Sequence, residues 1–247
     1  MDNTLYVGLS REMALQRHMD VVANNLANMN TTAFKRESVL FRQYLKDAHG
    51  DQPGVPDKIA FVFDYGVGRN FTPGSYDKTG NPLDVALTGR GFMAVSGNNG
   101  ETLYTKNGHM QVGSDGRLVT PSGNAIQDSN GNDIVLTGDP HSITIARDGT
   151  ISGDQGPIAR LSVVEFAPED EQSIEKVGDS LFRTQAQPQP ATGSEVLQGM
   201  IEGSNVEPIQ EMTQMMEISR AYQNTARMLD QYQDMQNQAI ERLGKVQ

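Results

Sequence analysis

From Met215 to Leu243 the chain keeps one rhythm. Met215, Ile218, Tyr222, Thr225, Leu229, Tyr232, Gln236, Ala239 and Leu243 follow one another at alternating steps of three and four. Thr225 and Gln236 are the two interruptions of an otherwise apolar seam over about four heptads, a coiled-coil or helix-packing pattern. It predicts a helix of roughly 35 residues, far above the globular mean of about 11–12. Asn205 is expected as its N-cap, Pro208 in its first turn and Gly244 as its stop. A helix this long with one apolar stripe needs a second surface to cover that stripe.

The other end of the chain has a matching need. Leu5, Leu9, Met13, Leu15, Met19, Val22, Leu26 and Met29 predict a helix over about 5–29, with steps of 4, 3, 4 and 3 from Leu15 onward. Phe34, Leu40, Phe41, Tyr44 and Leu45 extend it as a short helical or extended piece. Neither end has a helical neighbour in sequence, so the economical arrangement packs the two ends on each other and on further copies. The first helix also carries Asn24, Asn25, Asn28 and Asn30 near its end. Asparagine competes with the backbone for hydrogen bonds and is a poor interior helix former. At a helical interface, however, buried amides specify register and partner at some cost in stability.

Between the ends the texture is different. From about Val67 to Phe182 short alternating runs are broken by Asn-Gly and Asp-Gly pairs such as Asn99-Gly100, Asn107-Gly108, Asp115-Gly116 and Asp148-Gly149. These are hairpin signals, because primed turns need the positive φ that Asn, Asp and Gly accept cheaply. The predicted class is therefore α+β: long N- and C-terminal helices packed as a coiled-coil-like pair, with a central all-β domain of short hairpins. The expected segments are a helical assembly segment over 1–45, an extended linker over 46–75, a β-rich domain over 76–184, a linker over 185–204 and a second helical assembly segment over 205–247.

Composition removes several classes of function. The net charge of −11 argues against nucleic acid, whose phosphates call for a basic footprint. The charge is uneven: residues 1–46 carry six Lys/Arg against four Asp/Glu, residues 206–247 four against six, and the middle the rest of the negative charge. Without cysteine there is no disulfide, thiolate metal site or Cys nucleophile. No run approaches the roughly 20 apolar residues of a membrane span, and the N-terminus lacks the signature of a cleaved signal peptide. His18, His49, His109 and His141 have no partner at metal-ligand spacing. The stretch from Asp128 imitates a calcium loop but has Asp133 where the turn needs Gly and Asp139 where a Glu is expected, so it reads as a polar hairpin loop. No catalytic carboxylate pair stands out. No cofactor or metal is expected, and the chain reads as a self-assembling structural subunit. The alternative of a different class is a secreted β-rich hydrolase or adhesin with coiled-coil tails.

Two stretches sharpen this reading. "ANNLANMNTTAFKRE" (Ala23–Glu37) resembles the N-terminal signature of flagellar rod, hook and related axial proteins, with Ala33 where those proteins often have Gly. "EGSNVEPIQEMTQMMEISRAYQNTARMLDQYQDM" (Glu202–Met235) resembles their C-terminal segment, and "LTGRGFMAV" and "LYTKNGHMQVGSDGRLVTPSGNAI" resemble their β-domain core. The resemblance covers nearly the whole chain. It implies a non-enzymatic subunit of the flagellar basal-body rod, proximal in preference to distal. It further implies export without a cleaved signal peptide through the flagellar type III apparatus, and polymerisation in the periplasm with further copies and adjacent rod proteins into a hollow shaft. The residues expected at the assembly interface are Leu5, Leu9, Leu15, Met19, Val22, Asn24, Asn25, Leu26, Asn28, Met29, Asn30, Phe34, Met215, Ile218, Tyr222, Leu229, Tyr232 and Leu243.

Overall fold

The computed structural model describes residues 3–47, 58–97, 99–136 and 140–244. The architecture is α+β: helix α1 (Asn3–Ala27), a β-rich middle and helix α2 (Pro208–Gly244). The chain forms two compact units. One gathers residues 1–27, 37–68 and 207–247; the other gathers 28–36 and 69–206.

In the first unit the two helices pack side by side and antiparallel: Gly8 lies under Leu229, Glu12 bonds Tyr222, and Asn25 bonds Glu211. The three-four seam of α2 is its inward stripe, with Ile218 and Thr225 buried and Met215, Tyr222, Leu229, Tyr232 and Gln236 half-buried. Thr225 satisfies its hydroxyl by donating to the Ala221 carbonyl one turn back, at 3.0 Å, so a polar residue sits inside the stripe without an orphaned group. Pro208 opens the helix as expected. The cap differs from the sequence reading, because the Glu207 carbonyl accepts the first helical bond from the Glu211 N–H at 3.1 Å. Asn205 lies outside the helix, and its amide is engaged elsewhere.

Residues 37–69 depart from the helical or unpaired extended connection expected there. Glu37–Asp47 and Lys58–Arg69 pair as a two-stranded sheet. Ile59, Phe61, Phe63, Tyr65 and Val67 alternate with the residues between them, the period-two pattern of a β-branched and aromatic strand. The ladder is tied to α1. The Ser10 hydroxyl donates to the Val62 carbonyl at 3.1 Å, Arg17 pairs with Asp64 at 3.1 Å, and His18 meets Phe41 edge-on.

The second unit is built from antiparallel strands. Its largest sheet has six, in the order 175–178, 181–183, 102–105, 92–96, 163–165 and 189–190. A three-stranded sheet and three strand pairs complete it, among them 196–198 on 85–87 and 200–202 on 76–78. The stretch from 185, expected as a linker, thus supplies three short strands. The core has an aliphatic part around Val85, Leu87, Met93, Leu118, Ile126 and Ile151. Its aromatic part joins Phe71, Phe92, Tyr104, Phe166 and Phe182 edge-to-face, with centroids 4.9–6.0 Å apart. The glycine-paired turns behave as expected at Gly100, Gly116 and Gly149, all at positive φ. Gly108 is different: a Cβ there would lie 1.6 Å from the Val85 carbonyl oxygen, so this glycine serves close backbone approach.

Candidate assembly surface and the networks behind it

The residues expected at an assembly interface fall into three groups. Val22, Asn25, Phe34 and Ile218 are buried within the chain. Leu5, Leu15, Met19, Leu26, Asn28, Met215, Tyr222, Leu229 and Tyr232 are half-buried, while Leu9, Asn24, Met29 and Asn30 are exposed. The side chain of Leu243 lies outside the described residues. Large apolar side chains that are exposed concentrate in the helix–hairpin unit. Among the described residues, all but Met29, Val135 and Val177 belong to it, including Tyr6, Leu9 and Met13 on α1, Phe41, Phe63 and Tyr65 on the hairpin, and Ile209, Met212, Met216, Met228, Met235 and Ile240 on α2. Exposed apolar side chains are thus unevenly divided between the two units.

The asparagines separate in a way their spacing did not reveal. Asn25 is fully buried. Its amide donates to the Glu37 carbonyl at 2.8 Å and to the Glu211 carboxylate at 3.1 Å, and its carbonyl accepts the Glu37 N–H at 2.9 Å. One side chain therefore joins α1, the first hairpin strand and α2. Asn28 accepts the Thr31 hydroxyl at 3.0 Å in the turn that follows the helix.

A second network, within the β-rich unit, escaped the sequence reading. Lys35 is buried and ion-paired with the fully buried Glu202; its ammonium also donates to the Thr72 carbonyl at 2.9 Å. Glu202 accepts the Gly74 N–H at 3.0 Å through the same oxygen. Its other oxygen has no hydrogen-bond partner among the described residues. Asn205 takes the Arg36 N–H at 2.7 Å and donates to the carbonyls of Asn70 and Thr72 at 2.8 and 2.9 Å. Residues 33–36, 70–74 and 202–205 are thereby cross-linked. Ala33 donates its N–H to the Glu202 carbonyl and holds φ at +55°, a left-handed conformation that glycine adopts more cheaply than alanine. Lys35 and Glu202 both lie in the motifs quoted above, yet no local pattern announces a pair 167 residues apart.

Lys106 is a further buried charge of this unit. Its ammonium donates to the Gly89 carbonyl at 3.1 Å and lies 4.9 Å from the Phe92 ring centroid. Burial lowers its pKa to about 8, against the opposing pull of Glu202 and with a further push from Lys35. Burial also lowers Lys35, opposed by Glu202. Because the folded form of Lys106 releases its proton before the unfolded form does, its penalty is full below pH 8 and fades as pH rises toward 10.5. Tyr76 and Tyr104, both raised by burial, act oppositely above pH 10. Stability of this unit is expected to gain roughly 1.5 kcal/mol between pH 8 and 9.5 and to turn down above 10. Urea unfolding across that range measures it, and Lys106→Met should flatten the rise.

Known proteins match along the whole chain. Residues 5–35 match the family described as flagella basal body rod protein, 86–153 the flagellar hook protein FlgE/F/G D1 domain, and 197–242 the flagellar basal body rod FlgEFG protein C-terminal region. The flagellar basal-body rod protein FlgF of Caulobacter vibrioides is 42% identical over 252 aligned residues, covering 100% of both chains. FlgF of Rhizobium meliloti is 32% identical with 99% of each covered, and FlgG of Agrobacterium fabrum 32% identical with 90% of this chain and 92% of that protein covered. With both end motifs and the β core matched in order, this chain belongs to the flagellar basal-body rod protein family, the FlgE/F/G class of structural subunits.

Proposed function

We propose that this protein is a proximal-rod subunit that assembles with further copies and with adjacent rod proteins into a hollow shaft, transmitting motor torque and conducting exported subunits. Its route is the flagellar type III export apparatus, and its place is the periplasmic part of the basal body. The helix–hairpin unit of 1–27, 37–68 and 207–247 is the assembly part, and the unit of 28–36 and 69–206 is the β domain. The full-length likeness to FlgF supports the proximal assignment. The observation that carries the reading is the concentration of exposed apolar side chains on the helix–hairpin unit.

The expected interface residues divide the work. Half-buried seam residues such as Leu229 and Tyr232 form a coiled-coil-like pair within the subunit, while residues facing outward meet the next copy. Close-packed helices transmit strain because protein interiors are nearly incompressible. Introducing charge at the outward positions, as in Ile209→Glu combined with Ile240→Glu, should block polymerisation while changing subunit stability by no more than about 0.5 kcal/mol. Sedimentation and motility measure the first effect, urea unfolding the second. Normal filaments from the double variant would sink the reading. Charge at Leu229 and Tyr232 should differ, lowering helicity of the subunit itself by circular dichroism.

A further inference from the structure

We propose that Met212 and Met216 form a peroxide-sensitive modification site, whose conversion to the sulfoxide keeps the subunit from assembling. The inference rests on the assembly role of α2 given above.

Ile209, Met212 and Met216 stand at i, i+3 and i+7 and share one face of α2. They are 77%, 47% and 55% exposed, so both thioethers are open to solvent in the free subunit. Met93 and Met110, by contrast, are 0% and 1% exposed in the β-rich core. The chain has no cysteine, so the thioethers are its only sulfur targets. Met13, Met228 and Met235 on the same unit are also exposed, so a peroxide-class oxidant meets an open set of methionines on the helices and a shielded set in the β-rich core. Met212 and Met216 are the open pair that shares one face with Ile209.

The step is a two-electron oxygen transfer. A sulfur lone pair attacks one oxygen of hydrogen peroxide, the S–O bond forms as the O–O bond breaks, and the departing hydroxide takes the proton of the transferred hydroxyl to leave as water. The sulfur is oxidised to the sulfoxide and the peroxide is reduced; methionine sulfoxide reductases reverse the change. The product replaces a flexible apolar side chain with a polar one on a face that has to become buried. A copy seated on that face shields the sulfurs, so susceptibility is confined to subunits not yet assembled.

The full chain treated with hydrogen peroxide tests this. Mass spectrometry is expected to find sulfoxide at Met212 and Met216 well before Met93 and Met110, with the far-ultraviolet dichroism of the subunit unchanged. The critical concentration for polymerisation, read by sedimentation, should rise about tenfold or more, given the apolar transfer energy lost at two side chains. M212L/M216L should polymerise as the parent does and keep polymerising after peroxide, although Met13, Met228 and Met235 are still converted to the sulfoxide. Oxidised chain polymerising like untreated chain, or M212L/M216L losing polymerisation to the same extent, overturns the proposal. An untreated chain that stays monomeric overturns the assembly reading, and the proposal with it, whichever methionines are modified.

Discussion

Glu202→Gln is expected to lower the stability of the β-rich unit by about 3–5 kcal/mol, the range for breaking a buried ion pair on one side. Glutamine keeps the size of the side chain and can still accept the Gly74 N–H. What it removes is the negative charge, leaving Lys35 as a buried cation without a counter-ion and withdrawing the field that also favours the charged form of Lys106. Against a typical total of about 5–15 kcal/mol, such a loss moves the unit close to its unfolding threshold. With tryptophan absent, tyrosine fluorescence or near-ultraviolet dichroism through a urea titration is the suitable readout. Lys35→Met combined with Glu202→Leu should recover most of the loss, because removing both charges also removes both desolvation penalties. A Glu202→Gln protein with the parent urea midpoint would show that the pair contributes nothing.

The second large effect is expected from Asn25→Leu, at about 3 kcal/mol, from several buried polar groups stripped of a partner at once. Leucine is the better helix former, so propensity alone predicts a small gain at this position. The structure predicts the opposite sign. Leucine cannot accept the Glu37 N–H or donate to the Glu37 carbonyl and the Glu211 carboxylate. The loss belongs to the helix–hairpin unit, so helicity at 222 nm should melt earlier while tyrosine signals from the β-rich unit hold. Asn24→Leu, at an exposed position one residue away, serves as the matched control and should change the melting little. An Asn25→Leu protein at least as stable as the parent would return the amide to a role between copies.

The long helices and the alternation of hairpins were legible because each follows from a local period. The seam of α2 was readable down to its individual members, since Met215 through Gln236 point inward as the three-four spacing requires. The paired strands at 37–69 were less legible, because Ala60 and Val62 fall between Ile59, Phe61 and Phe63 and blur the alternation, and the helix preceding them invited continuation. The Asn205 cap failed for a physical reason: the residue type favours caps, but this amide found better partners among backbone groups far away in the chain. The buried charges were the least legible. A lysine beside a phenylalanine looks the same in sequence whether its ammonium meets water or a carboxylate 167 residues away. Asn25 is likewise set apart from the exposed Asn24 by burial against Glu37 and Glu211, groups far from it in sequence.

That distance along the chain also sets an order of events. The counter-charge for Lys35 is residue 202 of 247, and the strand that carries it pairs with residues 76–78. Closing so long a loop costs entropy that no earlier contact repays, and folds rich in such contacts form slowly. A chain delivered N-terminus first thus has to release about four-fifths of its length before two buried lysines can be neutralised. Until then the link among residues 33–36, 70–74 and 202–205 cannot close. The place of one carboxylate along the chain sets the earliest point at which this part of the β-rich unit can be completed.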